Sequence, residues 1–264
     1  MSHLKLKKKL SNFTISHNCC FFNLSLSRSP SKHEANITFT SNWDEILRGS
    51  LIPGEKVRII FDAARLPGRD RRYGQKAWEI SAEVKYNENG GVHSARLEGP
   101  DKKGMMITKL SIPSNATNFT IWFKHWGYYS GISWDSDHSK NYEFSFSQIV
   151  FTDTWDEYVK GGLYAGGRFQ VLYNSIRLPW RDLGYLSMGR AWNIFAHARF
   201  TDNGPVVQQM LKGPGADDPT MTTVFDIPDG AEKVIMWFYF SGYRSGTHYD
   251  SNHDKNYLFA LSKN

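Results

Sequence analysis

The second half of this chain repeats the first. Ile37-Thr-Phe-Thr-Ser-Asn-Trp43-Asp44-Glu45 returns 112 residues on as Ile149-Val-Phe-Thr-Asp-Thr-Trp155-Asp156-Glu157. Phe61-Asp62-x-x-Arg65-Leu66-Pro67-x-Arg69-Asp70 returns at the same offset as Tyr173-Asn174-x-x-Arg177-Leu178-Pro179-x-Arg181-Asp182. Ala77-Trp78 and Gly99-Pro100 recur after 114 residues, and the ending Gly127–Phe144 recurs after 115 as Gly242–Phe259. The offset grows in steps, as loop insertions require. Solenoid repeats run roughly 20–50 residues, so this period means two whole domains. The 264 residues divide into an arm over 1–35, one domain over 36–147 and a second over 148–264.

Within each copy the apolar residues alternate at period two, the mark of a strand with one buried face. Lys56–Phe61 and Trp78–Tyr86 show it in the first copy, and Arg168–Tyr173 and Trp192–Phe200 in the second. Asn89-Gly90-Gly91 and Asp202-Asn203-Gly204 are turn signals directly after two of these strands. No segment sustains a 3.6-residue period. The pattern predicts an all-β fold: two tandem immunoglobulin-like β-sandwiches from an internal duplication, each of six to eight short strands. Almost nothing separates Phe146 from Ile149, so the copies are expected to sit in a near-fixed relation.

Charge argues against nucleic acid as a partner of the folded domains. The chain carries +6, but residues 1–34 hold six basic residues against Glu34, leaving about +1 for the rest. Cys19 and Cys20 are adjacent and lie in the arm, so the domains fold without disulfides and the redox compartment is open. No apolar run is long enough for a transmembrane helix, and the arm has no continuous apolar stretch of a secretory signal. Localisation is therefore not fixed by the sequence.

The repeated ending holds the candidate chemistry. Asp135, Asp137 and Asn141 in the first copy place oxygen side chains at alternate positions, with Ser139 between them. Asp250, Asn252, Asp254 and Asn256 do the same in the second. A loop wraps Ca²⁺ with such spacing, although Lys140 and Lys255 stand where a calcium loop has glycine. The competing reading is an Asx-rich loop that satisfies its own backbone. On the late strands Phe119, Ile121 and Phe123, like Met236, Phe238 and Phe240, point to the core, as do Trp78 and Trp192. Trp122, Trp126 and Trp134 in one copy, and Trp237, Tyr239 and Tyr249 in the other, then form an outward aromatic platform suited to stacking on sugars. Arg65 and Arg177 are candidate anion contacts, with the alternative that they pair with Asp135 and Asp250. Trp43-Asp44-Glu45 reads as a packing and turn element. No catalytic motif is visible, and every candidate element is duplicated, which suits binding better than catalysis.

Ile227-Pro228-Asp229-Gly230-Ala231 through Trp237-Phe238, followed by Tyr249-Asp250-Ser-Asn252-His-Asp254-Lys-Asn256-Tyr257-x-Phe259, resembles starch-binding modules of carbohydrate-binding families 25 and 53. That resemblance covers the last third of each copy and implies an immunoglobulin-like sandwich that binds glycan. Over most of each copy the Arg-Leu-Pro and Trp-Asp-Ser-x-x-x-Lys-Asn-Tyr-x-Phe elements are similar to an uncharacterised family of bacterial domains. The sequence thus predicts a non-catalytic, lectin-like carbohydrate binder with Ca²⁺ as candidate ion. The alternative is a protein-interaction or assembly module of a secreted effector, toxin or surface structure.

Overall fold

The computed structural model describes residues 34–182, 190–215 and 217–262. The arm up to residue 33, with Cys19 and Cys20, lies outside them. Copy 1 runs through β1 (Ala35–Phe39), β2 (Glu45–Arg48), β3 (Lys56–Asp62), β4 (Arg71–Arg72), β5 (Gln75–Lys76), β6 (Trp78–Lys85), β7 (His93–Arg96), β8 (Met105–Ser111), β9 (Phe119–Gly127), β10 (Gly131–Asp135) and β11 (Tyr142–Phe144). Copy 2 runs through β12 (Gln148–Phe151), β13 (Glu157–Lys160), β14 (Arg168–Asn174), β15 (Trp192–Arg199), β16 (Val207–Met210), β17 (Thr220–Asp226), β18 (Lys233–Gly242), β19 (Gly246–Asp250) and β20 (Tyr257–Ala260). Among the described residues the helical content is two three-residue 3-10 turns, one after β3 and one after β14.

Each copy is a four-stranded sheet packed on a five-stranded one. In copy 1 the orders are β2-β1-β3-β8 and β10-β9-β6-β7, with β11 continuing β10's edge along β9; copy 2 repeats both orders strand for strand. Pairing is antiparallel apart from β1 with β3 and β12 with β14. The nine strands per double sheet exceed the expected six to eight. The additional ones are short edge pieces such as β2, β11 and β13, too brief to carry an alternating pattern.

The alternation builds the core directly. Ile37, Phe39, Val57, Ile59 and Phe61 of one sheet face Ile80, Val84, Phe119, Ile121 and Phe123 of the other, all fully buried. Phe123 meets Phe39 edge-on at 4.6 Å and Phe61 at 4.1 Å. Phe238 meets Phe151 and Tyr173 in the same way at 4.6 and 4.0 Å. Trp78 and Trp192 are buried as expected. One core closes with Phe146 and the next begins at Ile149.

The junction between the copies is hydrogen-bonded rather than left as a free linker. Ser147 donates its N–H to the Leu51 carbonyl at 3.0 Å and accepts from the Gln170 N–H at 2.9 Å. The buried amides of Gln148 and Gln170 bond at 2.7 Å. Arg168 pairs with Glu55 of copy 1 and, at 2.7 Å, with Asp226 of its own copy.

Candidate ligand-binding surfaces

The repeated motifs converge on one buried ion pair per copy. Arg65 leaves the 3-10 turn after β3, and its Nε donates to Asp135 Oδ2 at 2.7 Å, both side chains having no exposure. Its Nη2 donates to the Tyr142 hydroxyl at 2.6 Å and to Glu45 at 3.0 Å, and its Nη1 to the Thr40 carbonyl at 3.2 Å. Tyr142 in turn donates to Asp135. Copy 2 rebuilds this with Arg177 Nε on Asp250 at 2.9 Å and Nη2 on the Tyr257 hydroxyl at 2.6 Å. Burial pushes the Tyr142 and Tyr257 phenols well above their ordinary range, and the carboxylates add to it. Burial works against both arginine charges, yet the aspartates outweigh it and the guanidinium pKa values rise. This corrects the reading of Arg65 and Arg177 as ligand contacts. They join the two sheets, and the alternative pairing with Asp135 and Asp250 is the one found.

The copies differ inside this network. Copy 2 has Tyr173 in place of Phe61, and its hydroxyl donates to Asp250 at 2.9 Å. Arg177 uses the Thr152 and Asp156 carbonyls, at 3.2 and 3.3 Å, and does not engage Glu157. The Glu157 carboxylate has no ion-pair or hydrogen-bond partner among the described residues, while its backbone lies in the β12–β13 ladder. Trp43 and Trp155 lie over the guanidiniums at 4.6 Å, yet both are 58% exposed, so the reading of this segment as packing is half the account.

The remaining motif residues are also structural. Arg69 donates to the Leu66, Gly68 and Ala63 carbonyls of its own loop, and Arg181 to those of Leu178, Trp180 and Ser175. Asp70 caps the β9–β10 hairpin through the Tyr129 and Ser130 amides at 2.5 and 2.7 Å. Asp182 does the same for β18–β19 through Arg244 and Ser245 at 2.6 and 2.9 Å. Hydrogen bonds led by the Ser130 and Ser245 amides hold both carboxyls below their ordinary range, against a smaller opposing effect of desolvation.

In the Asx loops the first of the expected calcium ligands are already committed to the buried ion pairs. Asp135 and Asp250, the first expected ligands, are buried and engaged by guanidinium and phenol groups. That leaves Asp137 with Asn141 in one loop, and Asp254 with Asn252 and Asn256 in the other, a single carboxylate each. Among the described residues no three His, Cys, Asp or Glu side chains are grouped to hold a metal. The residue choice has another cause. Asp137, His138, Ser139 and Asn141 have φ of 43–73°, and Asn252, His253, Asp254 and Asn256 of 48–67°. Asn, Asp and His are the side chains that tolerate this left-handed region best.

The expected aromatic residues do share the outward face of the five-stranded sheets. In copy 1 the rows across the strands read Ile132–Trp126–Glu79, Trp134–Lys124–Ser81–Arg96 and Trp122–Glu83–Ser94. Trp126 and Trp134 are 44% and 53% exposed, and a depression of about 420 Å³ lies among Trp126, Lys124, Glu79 and Arg96. In copy 2 the same rows read Thr247–Ser241–Asn193, Tyr249–Tyr239–Phe195–Met210 and Trp237–His197–Gln208. Tyr249 is 63% exposed and lies 5.2 Å from Tyr239, which lies 6.1 Å from Phe195; Trp237 stacks on His197 at 5.2 Å. Phe195 and Met210 escaped the sequence reading, although Phe195 breaks the polar phase of its strand. At the end of copy 2 a cleft of about 580 Å³ is lined by Trp155, Glu157, Tyr249, Asn252, His253 and Asp254, with Arg177 and Asp250 also on its wall.

Two outcomes follow from this geometry. Trp155 has a φ of 67°, which costs a bulky residue roughly 1–2 kcal/mol, while its ring gains from the guanidinium below. Thermal denaturation is therefore expected to rank Trp155→Ala below Trp155→Gly by about 1 kcal/mol, because glycine removes the backbone cost that alanine keeps. Equal losses would mean that the turn carries no strain. Asp182, held below its ordinary 3.8, stabilises the fold fully above that value and loses this contribution as pH falls through its lowered folded-state pKa. Asp182→Asn should be less stable near neutral pH and lose less on acidification below about pH 4. Parallel acid limbs in denaturant titrations would assign the acid sensitivity elsewhere.

Comparison with known proteins places the chain by family. A search of curated proteins finds no match. Among solved structures, a pullulanase from Anoxybacillus sp. LM18-11, crystallised with maltotriose, aligns at a TM-score of 0.25 and 6% identity. The alignment covers 87% of this chain and 27% of the pullulanase, so the chain spans about a quarter of that protein's length. The profile of a family of unknown function, DUF6209, matches twice, over residues 28–147 and 146–262. The chain belongs to this family and carries two of its domains in tandem.

Proposed function

We propose that this protein is a non-catalytic carbohydrate-binding protein whose sandwiches take glycan on the outward faces of their five-stranded sheets. The observation that carries the reading is the set of rings on those faces: the exposed Trp126 and Trp134 in copy 1, and in copy 2 the exposed Tyr249 beside the half-buried Tyr239 and Trp237. An aromatic ring offers a sugar an apolar face, and neighbouring amides and carboxylates orient its hydroxyls. The resemblance of each copy's last third to starch-binding modules points the same way. Duplicated binding surfaces on a fixed junction raise avidity without new contacts.

Polysaccharide pull-down and a glycan array, each with Ca²⁺ and with EDTA, test this. Retention on at least one polysaccharide is expected, unchanged by EDTA. Absence of retention in both conditions sinks the reading, and retention abolished by EDTA returns calcium to it.

A second reading, an assembly module, draws on Met210 and Leu258, aliphatic side chains 50% and 65% exposed on copy 2. Sedimentation at rising concentration separates the two, since only this reading requires self-association or a protein partner.

A further inference from the structure

The duplication provides an internal comparison of the two outward faces. At matching positions copy 1 has Glu79, Glu83, Arg96 and Lys124 where copy 2 has Asn193, His197, Met210 and Tyr239. Two acids and two bases have become a surface without formal charge across three rows. The buried ion pair is kept in both copies while the charge of this face is exchanged. Polar groups remain at the fringe, with Ser241 and Thr247 beside one row and Gln208 beside the other.

This uncharged row runs into the end cleft, because Tyr249 belongs to both. Beyond Tyr249 the cleft presents the ring of Trp155, the unengaged carboxylate of Glu157, and Asn252 and Asp254. In copy 1 the equivalent carboxylate, Glu45, is spent on Arg65 at 3.0 Å, and Ser139 replaces Asp254. The Tyr173 hydroxyl on Asp250 accompanies the change. Copy 2 therefore offers a hydrophobic track leading to acceptors that sugar hydroxyls can reach, and copy 1 does not.

Resting on the function proposed above, we infer that copy 2 holds the principal site, a continuous groove from Phe195 through Tyr239 and Tyr249 into the Trp155–Glu157 cleft, for an uncharged, non-crystalline polysaccharide chain. Neutrality follows from the face: an acidic glycan would meet no cation along the row, and in the cleft it would meet the Glu157 and Asp254 carboxylates beside an Arg177 already paired with the buried Asp250. Chain character follows from the ring planes. Phe195 and Tyr239 are inclined by 40°, and Tyr239 and Tyr249 by 53°. A crystalline sugar surface needs coplanar rings, whereas a soluble chain follows the twist of the sheet.

Affinity electrophoresis in gels containing soluble starch, a neutral galactomannan or polygalacturonate, with a microcrystalline cellulose pull-down beside them, tests the inference on the full chain. Retention is expected on at least one of the two neutral soluble polysaccharides and on neither polygalacturonate nor cellulose. Tyr239→Ala and Glu157→Ala are each expected to weaken it at least tenfold, and the paired Trp126→Ala/Trp134→Ala variant less than threefold, all with unchanged far-ultraviolet circular dichroism. Retention on polygalacturonate or cellulose alone, or a larger loss from the copy 1 pair, overturns this assignment but leaves carbohydrate binding intact. Tyr239→Ala acting while Glu157→Ala does not would remove the cleft from the site and overturn the continuous groove. No retention of the unsubstituted chain on any polysaccharide removes the functional reading itself, and this inference with it.

Discussion

A guanidinium cannot be buried unless nearly all its N–H groups find acceptors, and that requirement shapes both halves of this molecule. Arg65 and Arg177 sit between two sheets, so their acceptors must come from several chain segments at once. The turn after the first strand supplies carbonyls, the end of β10 or β19 supplies a carboxylate, and the start of β11 or β20 supplies a phenol. Aspartate and tyrosine are seven residues apart in each copy, and both must reach one cation. The chain reverses between them through consecutive left-handed residues, which is why Asp, Asn and His gather there. The most conspicuous repeated motifs are thus parts of one cross-link.

That cross-link separates the residues that hold the fold from those free to meet a ligand. Arg69, Asp70, Arg181 and Asp182 fasten loops and hairpins to the same end of each sandwich. The outward faces of the five-stranded sheets carry no such duty, and over three matching rows there the copies part: charged in copy 1, aromatic and uncharged in copy 2. The exchange of Phe61 for Tyr173 shows how the network itself tolerates a change. A hydroxyl gained on the aspartate accompanies a glutamate released from the arginine.

Much of the fold was legible because period-two alternation and exact recurrence are direct records of sheet burial. Phe119, Ile121, Phe123 and their counterparts Met236, Phe238 and Phe240 fell on the core side as read. The outward set Trp122, Trp126, Trp134, Trp237, Tyr239 and Tyr249 shares the predicted faces, though their ligand role rests on the proposal. The loops were harder. Alternating oxygen side chains mark a calcium loop, but left-handed backbone selects the same residue types, and only the three-dimensional position of Arg65 distinguishes the two. Trp155 was read as packing because a ring can cover a buried cation on one side and still be half exposed, a division that sequence does not encode. Phe195 and Met210 required the strand register before their neighbours were known.

The account depends most on the claim that arginine and aspartate act as one unit in the interior. A double-mutant cycle on Arg177→Met and Asp250→Leu, read by denaturant unfolding, measures this directly. Each single change should cost about 3–5 kcal/mol because it strands a buried charge, and the pair together should cost at least 2 kcal/mol less than the sum. Additive losses, within about 0.5 kcal/mol, would show that the two side chains are stabilised independently and contradict the cross-link on which this description of the fold rests.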